Sequence, residues 1–247
     1  MSEELSGRVA VVTGAGRNIG RQVALTLAAR GADVVVHVGT DRAAGETVGK
    51  EIEALGRKAV VAVADISHRA EVDSMMEEAS ARLGPIDILV NCAAIRPHSA
   101  FVNISEEEWR KVLGVNLDGP FFCSQAVVPG MIERRSGSIV NIGGTASFDG
   151  GVQDAHIVAS KAGLHGLTKA LAVELGEFGV RVNSVIFGTI NSVRKQPAAG
   201  GPSLDRIPLR RLGSTHDAAN AIAFLVSDDG AYITGQAIHV NGGVLLA

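Results

Sequence analysis

A glycine-rich run, Thr13-Gly14-Ala15-Gly16-Arg17-Asn18-Ile19-Gly20, sits between a short apolar stretch and a segment with helical spacing. Glycines there let the backbone approach a pyrophosphate, which gains from the partial positive charge at the helix amino end. Tight strand-to-helix turns also use glycine for purely structural reasons, so the placement within an alternating pattern carries the argument. The seven histidines include no pair at metal-ligand spacing, so no metal site is expected. Cys92 and Cys123 form neither a close-spaced motif nor a disulfide framework, which suits a reducing, cytoplasmic setting.

The elements that must position such a turn are legible as short apolar runs alternating with amphipathic stretches. Strands are expected at Arg8–Thr13, Asp33–Val38, Ala59–Ala64, Ile86–Ala93, Gly137–Ile142, Arg181–Phe187 and Ala237–Val240. Helical spacing appears between them, as in Val23, Leu27 and Ala28, or Val72, Met75, Met76 and Ala79. Apolar runs without alternation belong to strands buried on both faces. The expected architecture is α/β: one doubly wound Rossmann domain over 1–247, a seven-stranded parallel sheet with helices on both faces. Residues 189–208, with AAGGP inside, break the rhythm at the length of a substrate lid.

Charge and hydropathy exclude other classes. The net charge of −3 offers no footprint for nucleic acid or an anionic membrane. No apolar run approaches the ~18 residues of a membrane span. The acidic start, MSEELSG, does not resemble a targeting peptide. The basic run Arg206 to Arg211 reads as a solvated loop.

Along essentially its whole length the sequence resembles the short-chain dehydrogenase/reductase family. The family's TGxxxGxG turn appears with Asn18 in place of the middle glycine, a residue that tolerates left-handed backbone. Its NNAG appears as Asn91-Cys92-Ala93-Ala94, and its adenine-contacting aspartate matches Asp65. Val182 to Ser192 matches a further motif in which Phe187 replaces proline, while Gly188 and Ile190 remain; Tyr232 to Gly243 matches the carboxy-terminal motif fully. The resemblance implies an NAD or NADP site built from Gly14, Arg17, Asn18, Ile19, Gly20, Asp65, Ile66, Asn91, Ala93, Lys161 and Ile190. No acid follows Val38 to hold ribose hydroxyls, and Arg17 and Arg42 lie near, which tilts the expectation to NADP. Phe187, by its bulk, is expected to crowd the nicotinamide pocket.

By the same resemblance, Asn116 and Lys161 are the family's catalytic asparagine and lysine. The tyrosine expected four residues before Lys161 is Ile157, and the serine expected thirteen residues earlier is Gly144. Tyr232, the one tyrosine, belongs to the carboxy-terminal motif. The candidate surrogates are His156, expected at the protein surface or in the substrate pocket, and His98, Cys92 and Ser147; Asp149 and Asp154 read as solvated loop acids. Three roles follow. The chain is a silent subunit assembling with an active sister chain, as in hydroxyacyl-CoA dehydrogenases of the benzylsuccinate route, or with itself as a homotetramer. It is otherwise an enzyme of altered chemistry using His156, or a non-catalytic dinucleotide sensor.

Overall fold

The computed structural model describes residues 4–192 and 204–246. Seven strands form one parallel sheet: β1 (Val9–Val12), β2 (Asp33–Val38), β3 (Ala59–Val63), β4 (Ile88–Asn91), β5 (Gly137–Gly144), β6 (Val180–Phe187) and β7 (Ala237–Val240), in the order β3-β2-β1-β4-β5-β6-β7. All seven expected strands are present. β1 and β4 are trimmed at both ends, and β5 runs two residues further, to Gly144, because β6 pairs with it through Gly144↔Phe187.

Side chains alternate across the sheet and build a core on each face. Ala10, Val12, Val34, Val36, Val90 and Val140 pack with Val23 and Leu27 of α1 (Asn18–Ala29), Val48 and Ile52 of α2 (Arg42–Ala54), and Ile222 of α8 (Thr215–Val226). Val9, Val11, Val35, Val60, Leu89 and Ile139 pack with Val72, Met75 and Met76 of α3 (Arg69–Leu83), Val127 and Met131 of α5 (Gly119–Arg134), and Leu175 of α7 (Ala155–Leu175). The β-branched runs that lack polar alternation are therefore covered on both sides. No helix among the described residues is long and apolar enough to cross a membrane.

Strand order reverses between β1 and β4, and ligands of such sheets bind in the crevice at the carboxyl ends of the strands there. Two devices shape that edge. The short α4 (Glu106–Leu113) enters α5 through a π-helical turn, Gly114–Asp118, which carries the fully buried Asn116. The carboxy-terminal motif ties β7 to β6: Gly235 N–H donates to Val182 O (2.8 Å), and Asn183 Nδ2 donates to Ile233 O (2.8 Å). Of the expected lid, 193–203 lies outside the described residues. On its near side Thr189 and Asn191 bond to Gly213; on its far side Leu209 N–H donates to Gly242 O at 3.2 Å. Arg210 pairs with Asp205 and Arg211 with Asp217, all at exposed or half-exposed positions, in keeping with a solvated basic run.

Candidate active site

The glycine turn is built by close approach. Gly14 has φ +68°, and a Cβ there would lie 2.8 Å from Ala93 Cα; a Cβ on Gly20 would lie 2.2 Å from Gly14 O. Asn18 adopts φ +51°, the left-handed backbone expected where the family has glycine. Arg17 caps α1 with no side-chain hydrogen bond to the helix, and no acid sits in the first turn. The amides of Ile19 and Gly20 lie at the amino end of α1, where backbone donors and the helix dipole favour an anion. These features fit the pyrophosphate of a dinucleotide.

His37, which the sequence reading passed over, holds this turn in place. It is 1% exposed on β2; its Nδ1 accepts from Gly14 N–H (3.1 Å), and its Nε2 donates to Ala64 O (2.9 Å). Burial drives its pKa below the ordinary 6.5, so the ring stays neutral and Nδ1 stays an acceptor. A histidine inside the apolar run DVVVHV gives no local sign that it reaches a turn 23 residues earlier. Thr13 does a similar job across β4: its Oγ1 accepts from both Cys92 N–H and Ala93 N–H, each at 3.0 Å.

At the adenine end, Asp65 Oδ1 accepts from Ser67 N–H (2.9 Å) and Ser67 Oγ (2.7 Å), with Ile66 buried behind it. The Ser67 bonds hold the Asp65 carboxyl below its usual range. Arg17 and Arg42 are exposed and form no ion pair among the described residues. Asn91 is buried with its side chain turned into the protein: Nδ2 donates to Asn141 Oδ1 (2.8 Å), and Asn141 Nδ2 donates to Thr168 Oγ1 (2.9 Å). Through Asn141 it braces the sheet against α7.

Phe187, expected to crowd the nicotinamide pocket, is packed at the end of β6. It is 6% exposed and belongs to the apolar cluster that includes Ile142, Val185 and Ile222, while its carbonyl accepts from Thr145 N–H (3.1 Å). Ile190 bridges Gly213 in parallel; Thr189 O and Asn191 N–H point to that partner, so the backbone groups of Ile190 face the opposite side.

Lys161 and Asn116, the two residues expected at the catalytic end, are both enclosed. Lys161 is 8% exposed, and its Nζ donates to Ile142 O at 2.7 Å. Burial lowers its pKa to about 8; the nearby Cys92 opposes the shift and Arg96 adds to it. Asn116 Oδ1 accepts from Ile95 N–H (2.9 Å), and its Nδ2 donates to Ile95 O (3.0 Å), which clamps the loop after β4. Ile157 is 3% exposed, one turn before Lys161 on α7. A Cβ on Gly144 would meet nothing within 4 Å. The lysine and asparagine are thus in place, beside an aliphatic side chain and an open backbone.

A family profile described as enoyl-(acyl carrier protein) reductase matches residues 14–245. The chain is 41% identical over 240 residues to the 3-oxoacyl-(acyl-carrier-protein) reductase FabG of Staphylococcus epidermidis, covering 96% of this chain and 98% of that protein. It belongs to the short-chain dehydrogenase/reductase family. The Escherichia coli K12 protein of the same name is 38% identical, covering 97% of this chain and 98% of its own length. A solved short-chain type dehydrogenase/reductase from Mycobacterium marinum superposes with a TM-score of 0.90 at 32% identity, covering 99% of this chain and 98% of that one.

Within this short-chain dehydrogenase/reductase frame, the sought surrogates are otherwise engaged. His156 is neither at the surface nor open to the pocket: it is fully buried, and its Nε2 lies 2.9 Å from Glu108 Oε1, which also accepts from Ser99 Oγ (2.6 Å). Those bonds, Ser99 foremost, hold the Glu108 carboxyl below its usual range. Asp154 is not solvated either; it is 7% exposed and pairs with His98 Nδ1 at 2.7 Å, whereas Asp149 is exposed as expected. Ser147 Oγ donates back to Gly144 O at 2.7 Å. Burial pushes the Cys92 thiol up to about 11, which leaves it protonated at neutral pH.

Proposed function

We propose that this chain is the catalytically silent subunit of an NAD(P)-dependent oxidoreductase acting on 3-oxoacyl or 3-hydroxyacyl carbonyls, and that it assembles with an active sister chain. One observation carries the reading: the family's fold, cofactor turn, lysine and asparagine persist while Gly144 and Ile157 stand at the serine and tyrosine positions. A bound nicotinamide dinucleotide gives or takes a hydride. Carbonyl reduction also needs a proton on the oxygen, and isoleucine has none to give. Loss of general acid–base help alone costs about 10²–10⁴ in rate. His156, the nearest histidine, is fully buried with its Nε2 on Glu108, which keeps its ring from a substrate carbonyl.

Acyl substrates are proposed from the relatives' names, and NADP over NAD from the unpaired Arg17 and Arg42 beside a β2 end without an acid. In relatives, the long helices and last strand make the subunit contacts. Here the α7 surface carries Ala162, Gly163, Gly166 and Ala170 beside Val173 at 86% exposure, and β7 is half-buried throughout, which supports assembly through the same elements. The lid role of 189–208 belongs to the same proposal. The test is turnover: purified alone, the chain binds NADPH and does not oxidise it with 3-oxoacyl thioesters. NADPH oxidation by the lone chain at ordinary dehydrogenase rates would end the proposal.

A further inference from the structure

The lysine left behind has an environment that its family role does not require. Its ammonium is buried, and no carboxylate pairs with it among the described residues. Its acceptor among the described residues is a neutral carbonyl, Ile142 O, and the charged or titratable groups that act on it are Cys92, a protonated thiol, and Arg96, a cation. β4 ends at Asn91, paired to Asn141, so Ile142 lies just past the last β4–β5 pair, where Nζ covers its carbonyl. Two residues on, about 7 Å along the strand, is the open space at Gly144. Ile157, one turn away on α7, supplies apolar surface and no proton donor.

We propose that Lys161 captures aldehydes and ketones carried on apolar chains as an imine, an activity separate from hydride transfer. The neutral amine attacks the carbonyl carbon, and a proton passes from nitrogen to oxygen to give the carbinolamine. Loss of that hydroxyl as water forms the C=N bond, with no net change of oxidation state. Ile157 brings no proton donor to a carbonyl there, and the neighbouring Cys92 thiol is protonated, which leaves the amine as the stronger nucleophile of the two. Burial also prepares it: an amine at about 8 rather than 10.5 is neutral about 300 times more often at neutral pH.

The experiment uses the whole wild-type chain with hexanal and cyanoborohydride at pH 7, which fixes an imine as a stable secondary amine, followed by peptide mapping. The expected result is one dominant addition at Lys161, at least ~100-fold faster than at the exposed Lys50 or Lys169, with competition by NADPH. Lys161→Arg loses that addition and keeps the slow surface background. Labelling of Lys161 no faster than Lys50, or no labelling of it, overturns the proposal. Labelling needs neither hydride transfer from a nicotinamide nor a partner subunit, so its outcome is independent of the silent-subunit reading.

Discussion

Putting back the two missing groups tests the catalytic account. In Gly144→Ser/Ile157→Tyr, the serine enters space where a Cβ meets nothing within 4 Å, at a position whose backbone is not left-handed. The tyrosine stands one turn before Lys161, whose Nζ is held at Ile142 O, and Asn116 is buried in its π turn. Ile157 is 3% exposed, so the larger ring costs about 1–3 kcal/mol of stability through overpacking. The acid–base group is worth about 10²–10⁴ in rate, and a hydroxyl donor to the substrate oxygen about 10²–10³. Such effects are not additive within one unit. The double variant is therefore expected to gain at least ~10²-fold in NADPH oxidation with a 3-oxoacyl thioester, equivalent to about 2.7 kcal/mol of transition-state stabilisation. Ile157→Tyr alone gains less, and Gly144→Ser alone gains nothing, since it adds no acid. A double variant that folds, binds NADPH and gains less than tenfold would refute the claim that these two positions are what the site lacks.

Other expectations follow from the cofactor end. Arg17→Ala/Arg42→Ala weakens NADPH binding by about 10- to 100-fold, the worth of one or two charge-assisted hydrogen bonds, and leaves NADH affinity unchanged in calorimetry. His37 has a depressed folded pKa, so the unfolded chain binds more protons below about 6.5; its contribution is complete above that pH and lost as the pH falls through it. Urea unfolding at pH 7.5 and 5.5 should then show a larger drop for wild type than for His37→Leu. Gly20→Ala drives a methyl into Gly14 O, destabilising the fold by about 1–3 kcal/mol and abolishing dinucleotide binding, both readable from a melting curve with and without NADPH.

What the sequence disclosed was whatever repeats along the chain. Runs such as VAVV and DVVVHV, punctuated by glycine, placed seven strands because burial on both faces leaves that composition. The turn at Asn18 was legible because few residue types accept its backbone. The misreadings all concern contacts between distant elements. His37 reads as one more strand residue until the fold lays it under Gly14. His156 and Glu108 are 48 residues apart, and only the packing of α4 against α7 brings the buried ring to the half-buried carboxylate. Asp154 looks like a loop acid and is enclosed by the segment carrying His98 and Ser99, whose N–H donates to Gln153 O.

The central claim, that this chain is the silent half of a mixed enzyme, is tested most directly by native mass spectrometry of the tagged protein drawn from its own host. The account predicts oligomers containing a second short-chain dehydrogenase/reductase that carries the full serine, tyrosine, lysine and asparagine set. Oligomers made only of this chain would contradict it.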